Sequence, residues 1–279
     1  MLASRFGRGY NSRRTSSPMS DDQIREVAPS IFAEDKHESR SARYSYIPTS
    51  VILTRLRDEG FQPFMVAQSR VRNESKREHA KHMLRLRHAS QIEAGEANEI
   101  ILLNSHDGTS SYQMLSGQFR FACANGVVCG TTENDIRVRH QGDIVHDVID
   151  GAFRVVDDFE RVANERDAMK SLTLSEGERN AFARGALLLR FGSTEDNETV
   201  PAAPITERQI LQPRRRDDMA TDLWTTFNVV QENAIRGGQR GRSANNSRVT
   251  TRAVTGIDQD VKLNRALWVL AEEMRKLKA

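Results

Sequence analysis

The chain has 279 residues, 38% apolar and 28% charged, enough to bury a sizeable core in one large domain or two smaller ones. No stretch approaches the ~18 apolar residues of a membrane-spanning helix, and no apolar run follows the first residues as a secretory signal requires. The two cysteines, Cys123 and Cys129, are too few for a disulfide framework or a cysteine zinc site, so a reducing cytoplasm is the expected compartment. The net charge of +3 hides an uneven distribution: residues 1–19 carry Arg5, Arg8, Arg13 and Arg14 without an acid, and residues 234–255 carry Arg236, Arg240, Arg242, Arg248 and Arg252, again without an acid.

Residues 1–19, rich in Arg, Ser, Gly and Asn, are expected to be a disordered basic tail. Ser20 caps a short helix that runs to about Phe32, and a charged linker follows to Arg43. Pro48 and Thr49 start an amphipathic helix that Gly60 stops. Phe61–Arg72 reads as a strand, 73–81 as a polar connection, and His82–Ala89 as a strand whose Met83, Arg85 and Arg87 alternate with Leu84, Leu86 and His88. Glu99–Leu103 is a strand, Asn104–Gly108 has turn chemistry, Ser111–Ala122 is a further strand, Asn125-Gly126 a second turn, and Ile136–His140 a short extended piece. Helical spacing marks Asp143–Arg166 as a long helix, and Ser175 caps another to Phe191. A polar, proline-punctuated linker (192–206), short helix (204–211), helix (221–235), Gly/Arg/Asn loop (236–248) and final helix (257–277) complete the chain. Strands first and helices afterwards make an α+β protein: an antiparallel sheet of three to five strands flanked by a long helix. The expected organisation is a tail and short helix over 1–43, an α+β core over 44–192, and a helical region over 193–279.

Three blocks carry a resemblance. They are Tyr46-Ile47-Pro48-Thr49-Ser50; Leu103-Asn104-Ser105-His106-Asp107-Gly108 continuing to Phe119-Arg120-Phe121; and Asp222-Leu223-Trp224 through Asn233, followed by Thr251–Asp258 and Leu263–Trp268. Together they resemble a phage- and plasmid-borne domain-of-unknown-function family, the one numbered 932, over about Tyr44–Ala279. That resemblance implies no catalytic residues. It implies a genetic setting, mobile elements, in which DNA passes through single-stranded form. The topology is also similar to the core of Rad52-type single-strand annealing proteins, which assemble into rings or filaments around DNA.

Arginines alternating on a sheet face can line a polyanion groove. The candidates are Arg70, Arg72, Lys76, Arg85 and Arg87, with Arg77, Lys81 and His88 beside them, and Arg137, Arg139 and His140 at the same edge. The second group is Arg236, Arg240, Arg242, Arg248 and Arg252 on a flexible segment able to follow a phosphate backbone. Arg214-Arg215-Arg216 precedes Asp217-Asp218 and is expected to neutralise itself locally. Tyr44, Tyr46 and Tyr112 are base-stacking candidates, whereas Phe119 and Phe121 are assigned to the core and Trp224 and Trp268 to core or interface anchoring. His106 and Asp107 are adjacent, so they point apart and do not make a dyad; a hairpin bonded to its own backbone is expected. The histidines have no tight metal spacing, so neither a metal nor a cofactor is expected. These residues suggest a single-stranded DNA binding and annealing protein acting as an oligomer. One alternative is an interaction protein that inhibits a host restriction or defence factor; another is a metal-dependent nuclease built on Asp107, His106 and a distant acid.

Overall fold

A computed structural model describes residues 10–39, 46–71, 73–88, 90, 92–93, 95–122, 125–130, 135–138, 144–192 and 203–278. The elements run β1 (Tyr10–Arg14), α1 (Asp21–Val27), α2 (Thr49–Asp58), β2 (Phe61–Ser69), β3 (His82–His88), β4 (Ile92–Glu93), β5 (Glu96–Asn104), β6 (Tyr112–Arg120), β7 (Asn125–Val128), β8 (Ile136–Val138), α3 (Ile144–Ser171), α4 (Glu176–Phe191), α5 (Glu207–Ile210), α6 (Leu223–Arg236), β9 (Arg240–Arg242), β10 (Arg248–Thr250) and α7 (Ile257–Lys278). The chain is α+β. It divides into a compact unit reaching Glu160, with 255–257, and a second made from Arg161 onwards. The division therefore falls within α3 rather than after residue 192. Among the described residues no helix is long and apolar enough to cross a membrane.

The first unit is built on one antiparallel sheet in the order β1-β2-β3-β5-β6-β7, with β4 added to β5 and β8 to β6. It is wider than the expected three to five strands because two segments join it. Tyr10–Arg14, expected in the disordered tail, pairs residue for residue with Met65–Ser69; backbone pairing needs no apolar side chains. Asn125 and Gly126, expected in a turn, instead lie in β7 opposite Arg120 and Phe119. One sheet face packs Val66, Leu84, Leu86, Ile100, Leu102, Tyr112 and Met114 against Ile52, Leu53 and Leu56 of α2 and Val148, Ala152, Val155 and Phe159 of α3.

The other face closes on itself. Arg14 of β1 lies 4.6 Å from the ring centroid of Phe119 of β6. In the strand order these two are four steps apart, about 19 Å in a flat sheet at ~4.8 Å per strand, so the sheet must curl until its ends approach. Gly60 ends α2 with φ +87°, and a Cβ there would lie 2.5 Å from the His88 ring, so this stop requires glycine.

The second unit is helical. Trp224 and Phe227 stack at 5.5 Å, and Trp268 of α7 meets Trp224 edge-on at 6.3 Å. Both tryptophans are buried core anchors. Ser175 caps α4 in a reciprocal capping box with Glu178, and Asp222 caps α6 through the Thr225 N–H.

Gly151 in α3 faces the sheet, where a Cβ would lie 2.4 Å from Met114 Cε and 2.8 Å from Ile136 Cγ2. Overpacking costs about 1–3 kcal/mol, against a gain of about 1 kcal/mol in helix propensity. Gly151→Ala is therefore expected to lower the thermal midpoint. Gly177→Ala, with nothing within 4 Å of its Cβ, is expected not to lower it.

Candidate nucleic-acid interface

The alternation in β3 holds, but its arginine face is not wet. Arg85 and Arg87 are each 1% exposed and Glu99 is fully buried. Arg85 Nη1 donates to Glu99 Oε2 at 2.9 Å and Arg87 Nε donates to Oε1 at 2.8 Å. Arg85 also reaches the carbonyls of Val127 and Gly126, and Arg87 lies 3.8 Å from the centroid of Phe119. Burial alone would raise the Glu99 pKa. The guanidinium groups of Arg87, Arg85 and Arg14 overcome that and hold it below the ordinary carboxylate value. This corrects the expectation that Arg85 and Arg87 meet nucleic acid: the curl of the sheet turns their face inward and one carboxylate binds both.

Two of the tyrosines are also committed elsewhere. Tyr112 is fully buried in the core, and burial raises its hydroxyl pKa well above the ordinary value. The Tyr46 hydroxyl donates to the Ala33 carbonyl, and its ring lies 4.8 Å from that of His106. Burial leaves Tyr112 no free face for a base, whereas Tyr46 is half-buried. Phe119 is buried, as expected, but Phe121 is 40% exposed rather than core. Tyr44, Arg72, Arg139, His140 and Cys123 lie outside the described residues.

His106 and Asp107 do not form a dyad. Asp107 Oδ1 accepts from the N–H and hydroxyl of Thr109, and Ser105 Oγ accepts from Ser110 N–H, so the hairpin is bonded to itself. His106 is fully buried, and among the described residues no group of three metal-ligating side chains is placed to hold an ion. Its ring packs on His82, 5.2 Å away. His82 is the centre of a buried network that the sequence did not reveal. Gln68 Nε2 donates to the Arg77 carbonyl at 2.8 Å, so its Oε1 is the acceptor that takes the only Ser30 hydroxyl proton, at 2.7 Å. Ser30 Oγ must then accept from His82 Nδ1, at 2.8 Å, beside the Ala80 carbonyl at 3.1 Å. Thr49 Oγ1 accepts from Asn104 Nδ2 at 3.0 Å and donates to His82 Nε2 at 3.0 Å. The bonds of this run fit a neutral imidazole protonated on Nδ1. Thr49 and Asn104 come from two of the three sequence blocks that carried the resemblance.

The C-terminal arginines divide. Arg236 pairs with the buried Glu232, as does Arg215, which also bonds Asp218 at 2.7 Å. Arg236 is thus corrected to a structural ion pair, and Arg215 is neutralised as expected. The expected flexible loop is instead a two-stranded ribbon, with Arg242 opposite Arg248 and Arg240 opposite Thr250. Its glycine has a specific use: a Cβ on Gly241 would lie 1.9 Å from the Pro204 carbonyl oxygen, and Arg242 N–H donates to that oxygen at 2.9 Å. The Gly241/Val249 face therefore rests on Pro204 and is half-buried, while Arg240, Arg242, Arg248 and Thr250 face solvent. Gln209 and Gln239 pin the base, each donating to the other segment's carbonyl at 2.7 Å.

The pairing phase matters. Thr251 N–H donates to Gln239 O and Ser243 N–H to Ser247 O, so the intervening even-numbered pairs are the non-hydrogen-bonded ones. In such pairs Cα atoms approach to about 4.5 Å and side chains stand closest. Arg242 and Arg248 occupy one of them. Arg242 Nη1 is held by the carbonyl and side chain of Asn246, and none of the ion pairs among the described residues involves Arg240, Arg242, Arg248 or Arg252. Arg252 follows the ribbon and is exposed. In the other unit, Arg70 is exposed and Lys76 half-buried at the β2–β3 connection, where Arg77 pairs with Glu74. Arg137 lies 3.9 Å from Asp135.

The model of the family described as Domain of unknown function (DUF932) matches residues 36–268. The chain is 56% identical to the UPF0380 protein YfjQ of Escherichia coli K12 over 98% of this chain and 97% of the relative. It is 55% identical, over the same shares, to the UPF0380 protein YafZ of the same organism. No solved structure matches.

Two outcomes follow. Glu99→Ala leaves two guanidinium groups buried without their carboxylate and should cost about 3–5 kcal/mol, read as a lower urea midpoint. His82 is the second. Burial, opposed by the Ala80 carbonyl and the charge of Asp107, lowers its pKa to about 4. Between the ordinary value near 6.5 and this one, the unfolded chain binds more protons than the folded one. Stability should therefore be intact above about pH 6.5 and fall by on the order of 3 kcal/mol as pH drops to about 4. His82→Gln should flatten that part of a urea-midpoint profile against pH.

Proposed function

The chain belongs to the DUF932 family, and on that premise we propose that it binds nucleic acid, holding a single strand on the arginine face of the β9–β10 ribbon so that complementary strands can anneal. One observation carries this reading. Arg242 and Arg248 stand directly opposite each other at the closest kind of cross-strand position, with no carboxylate paired to either among the described residues. Like charges so placed destabilise a ribbon, and a polyanion supplies what is missing.

Arg240 lies two residues from Arg242, about 7 Å along the same face, and Thr250 completes that face as a neutral hydrogen-bonding group. Guanidinium groups spaced in this way meet phosphates and release counterions, leaving the bases unread. A strand held by its backbone keeps its pairing edges open, which is the requirement for annealing. The reading needs no bound cofactor. An oligomer would set several ribbons along one strand, which is how a face of three or four arginines becomes a tight binder.

Each arginine that meets a phosphate of a single strand contributes about 0.7 to the slope of log K against log salt concentration. Replacing Arg240, Arg242 and Arg248 by alanine should lower that slope by about 2 and weaken single-strand binding. Arg248→Ala alone should raise the thermal midpoint at low salt, by about 0.5 kcal/mol of relieved repulsion. Unchanged binding and slope in the triple variant would overturn the proposal. Binding that survives in single-strand assays without acceleration of annealing would confine the proposal to binding.

A further inference from the structure

We infer that the opposed pair Arg242–Arg248 is an end-recognition site, taking a terminal phosphate monoester of a nucleic-acid strand in preference to an internal diester. This rests on the nucleic-acid reading of the ribbon and narrows it. The argument is one of charge and valence. Arg242 and Arg248 face each other across a non-hydrogen-bonded pair, so their side chains are as close as cross-strand neighbours come. Neither has a carboxylate among the described residues.

An internal diester carries one negative charge and two free oxygens. Bound between two guanidinium groups it leaves one positive charge in excess. A terminal monoester carries about −1.5 to −2 at neutral pH and offers three acceptor oxygens. It neutralises both arginines, and its three oxygens can serve two planar forks at once.

The local bonding favours this use. Arg242 Nη1 is tied to the carbonyl and amide oxygens of Asn246 at 3.0 and 3.1 Å. Asn246 itself sits in the left-handed region at φ 59°, so the tip is shaped around that contact. The guanidinium of Arg242 is thereby oriented before any ligand arrives, while its Nε and Nη2 remain for an anion. On the same face Arg240 is about 7 Å away. An extended strand repeats at a similar distance, roughly twice the 3.4 Å per-strand rise of the duplex. An end phosphate on the pair would thus place the next phosphodiester at Arg240. The ribbon is seated on Pro204 by its other face, with Gly241 as the residue that permits the approach.

The test is a set of labelled single strands of about ten nucleotides, of one sequence, ending in a 5′-phosphate, a 3′-phosphate or hydroxyls only. Binding to the full chain is measured by fluorescence anisotropy at fixed ionic strength. The expected result is that one phosphorylated form binds roughly tenfold more tightly than the hydroxyl form, one added charge-assisted bond's worth, and which form does so reports the strand polarity. Arg248→Ala and Arg242→Ala, each checked by thermal melting, should erase that preference while retaining weaker binding to all three strands. Equal binding of the three strands, weakened equally by both variants, would overturn the end-recognition site and leave the nucleic-acid reading standing. Failure of every strand to bind would overturn both.

Discussion

A single carboxylate governs the interior of the curled sheet. Glu99 is fully buried and accepts from Arg85 and Arg87 on its two oxygens, with Phe119 pressed against Arg87 and Arg14. Desolvating two guanidinium groups and a carboxylate is expensive, and the arrangement is tolerable only when all three are held together. That requirement constrains the sheet: β3 and β5 must pair in this register, β7 must bring the Gly126 and Val127 carbonyls to Arg85, and β1 must bring Arg14 near. The curl and the ion cluster are two descriptions of one constraint.

The polar network around His82 does similar work on the opposite side of β3. It joins a turn after α1 (Ser30), the first turn of α2 (Thr49), and strands β2, β3 and β5 (Gln68, His82, Asn104). Because its hydrogen bonds run in one direction, it specifies a protonation state as well as a geometry. The Asn-Ser-His-Asp-Gly block, which invites a catalytic reading in one dimension, is used in three dimensions to close this network and the β5–β6 hairpin.

The second unit presents a different balance. Arg215 and Arg236 share the buried Glu232, whereas the ribbon arginines have no such carboxylate among the described residues and face solvent on a strand pair seated by glycine. The same residue type is structural in the helix and exposed a few positions later. What separates the two is the presence of Glu232 one helical turn before Arg236, and the absence of any acid from 236 to 252. That absence was legible in the primary structure and remains the feature from which the functional proposal starts.

Periodicity, caps and turn residues were enough to locate most elements, because those signals are local: the 3.6-residue spacing of α3, the hydroxyl caps of α1 and α4, the glycine after α2. They also established the α+β class and the charge segregation. They could not say which face of β3 is inside, since an alternating strand reads the same whether its polar side meets water or a buried carboxylate twelve residues further on. Nor could they convert an arginine- and glycine-rich run into a ribbon, because that depends on a carbonyl at Pro204, more than thirty residues earlier in the chain. The primary structure determined which residues carry charge and where elements begin and end. Only the tertiary structure decided which charges are spent on each other and which are left facing solvent, because that outcome depends on distances between residues far apart in sequence.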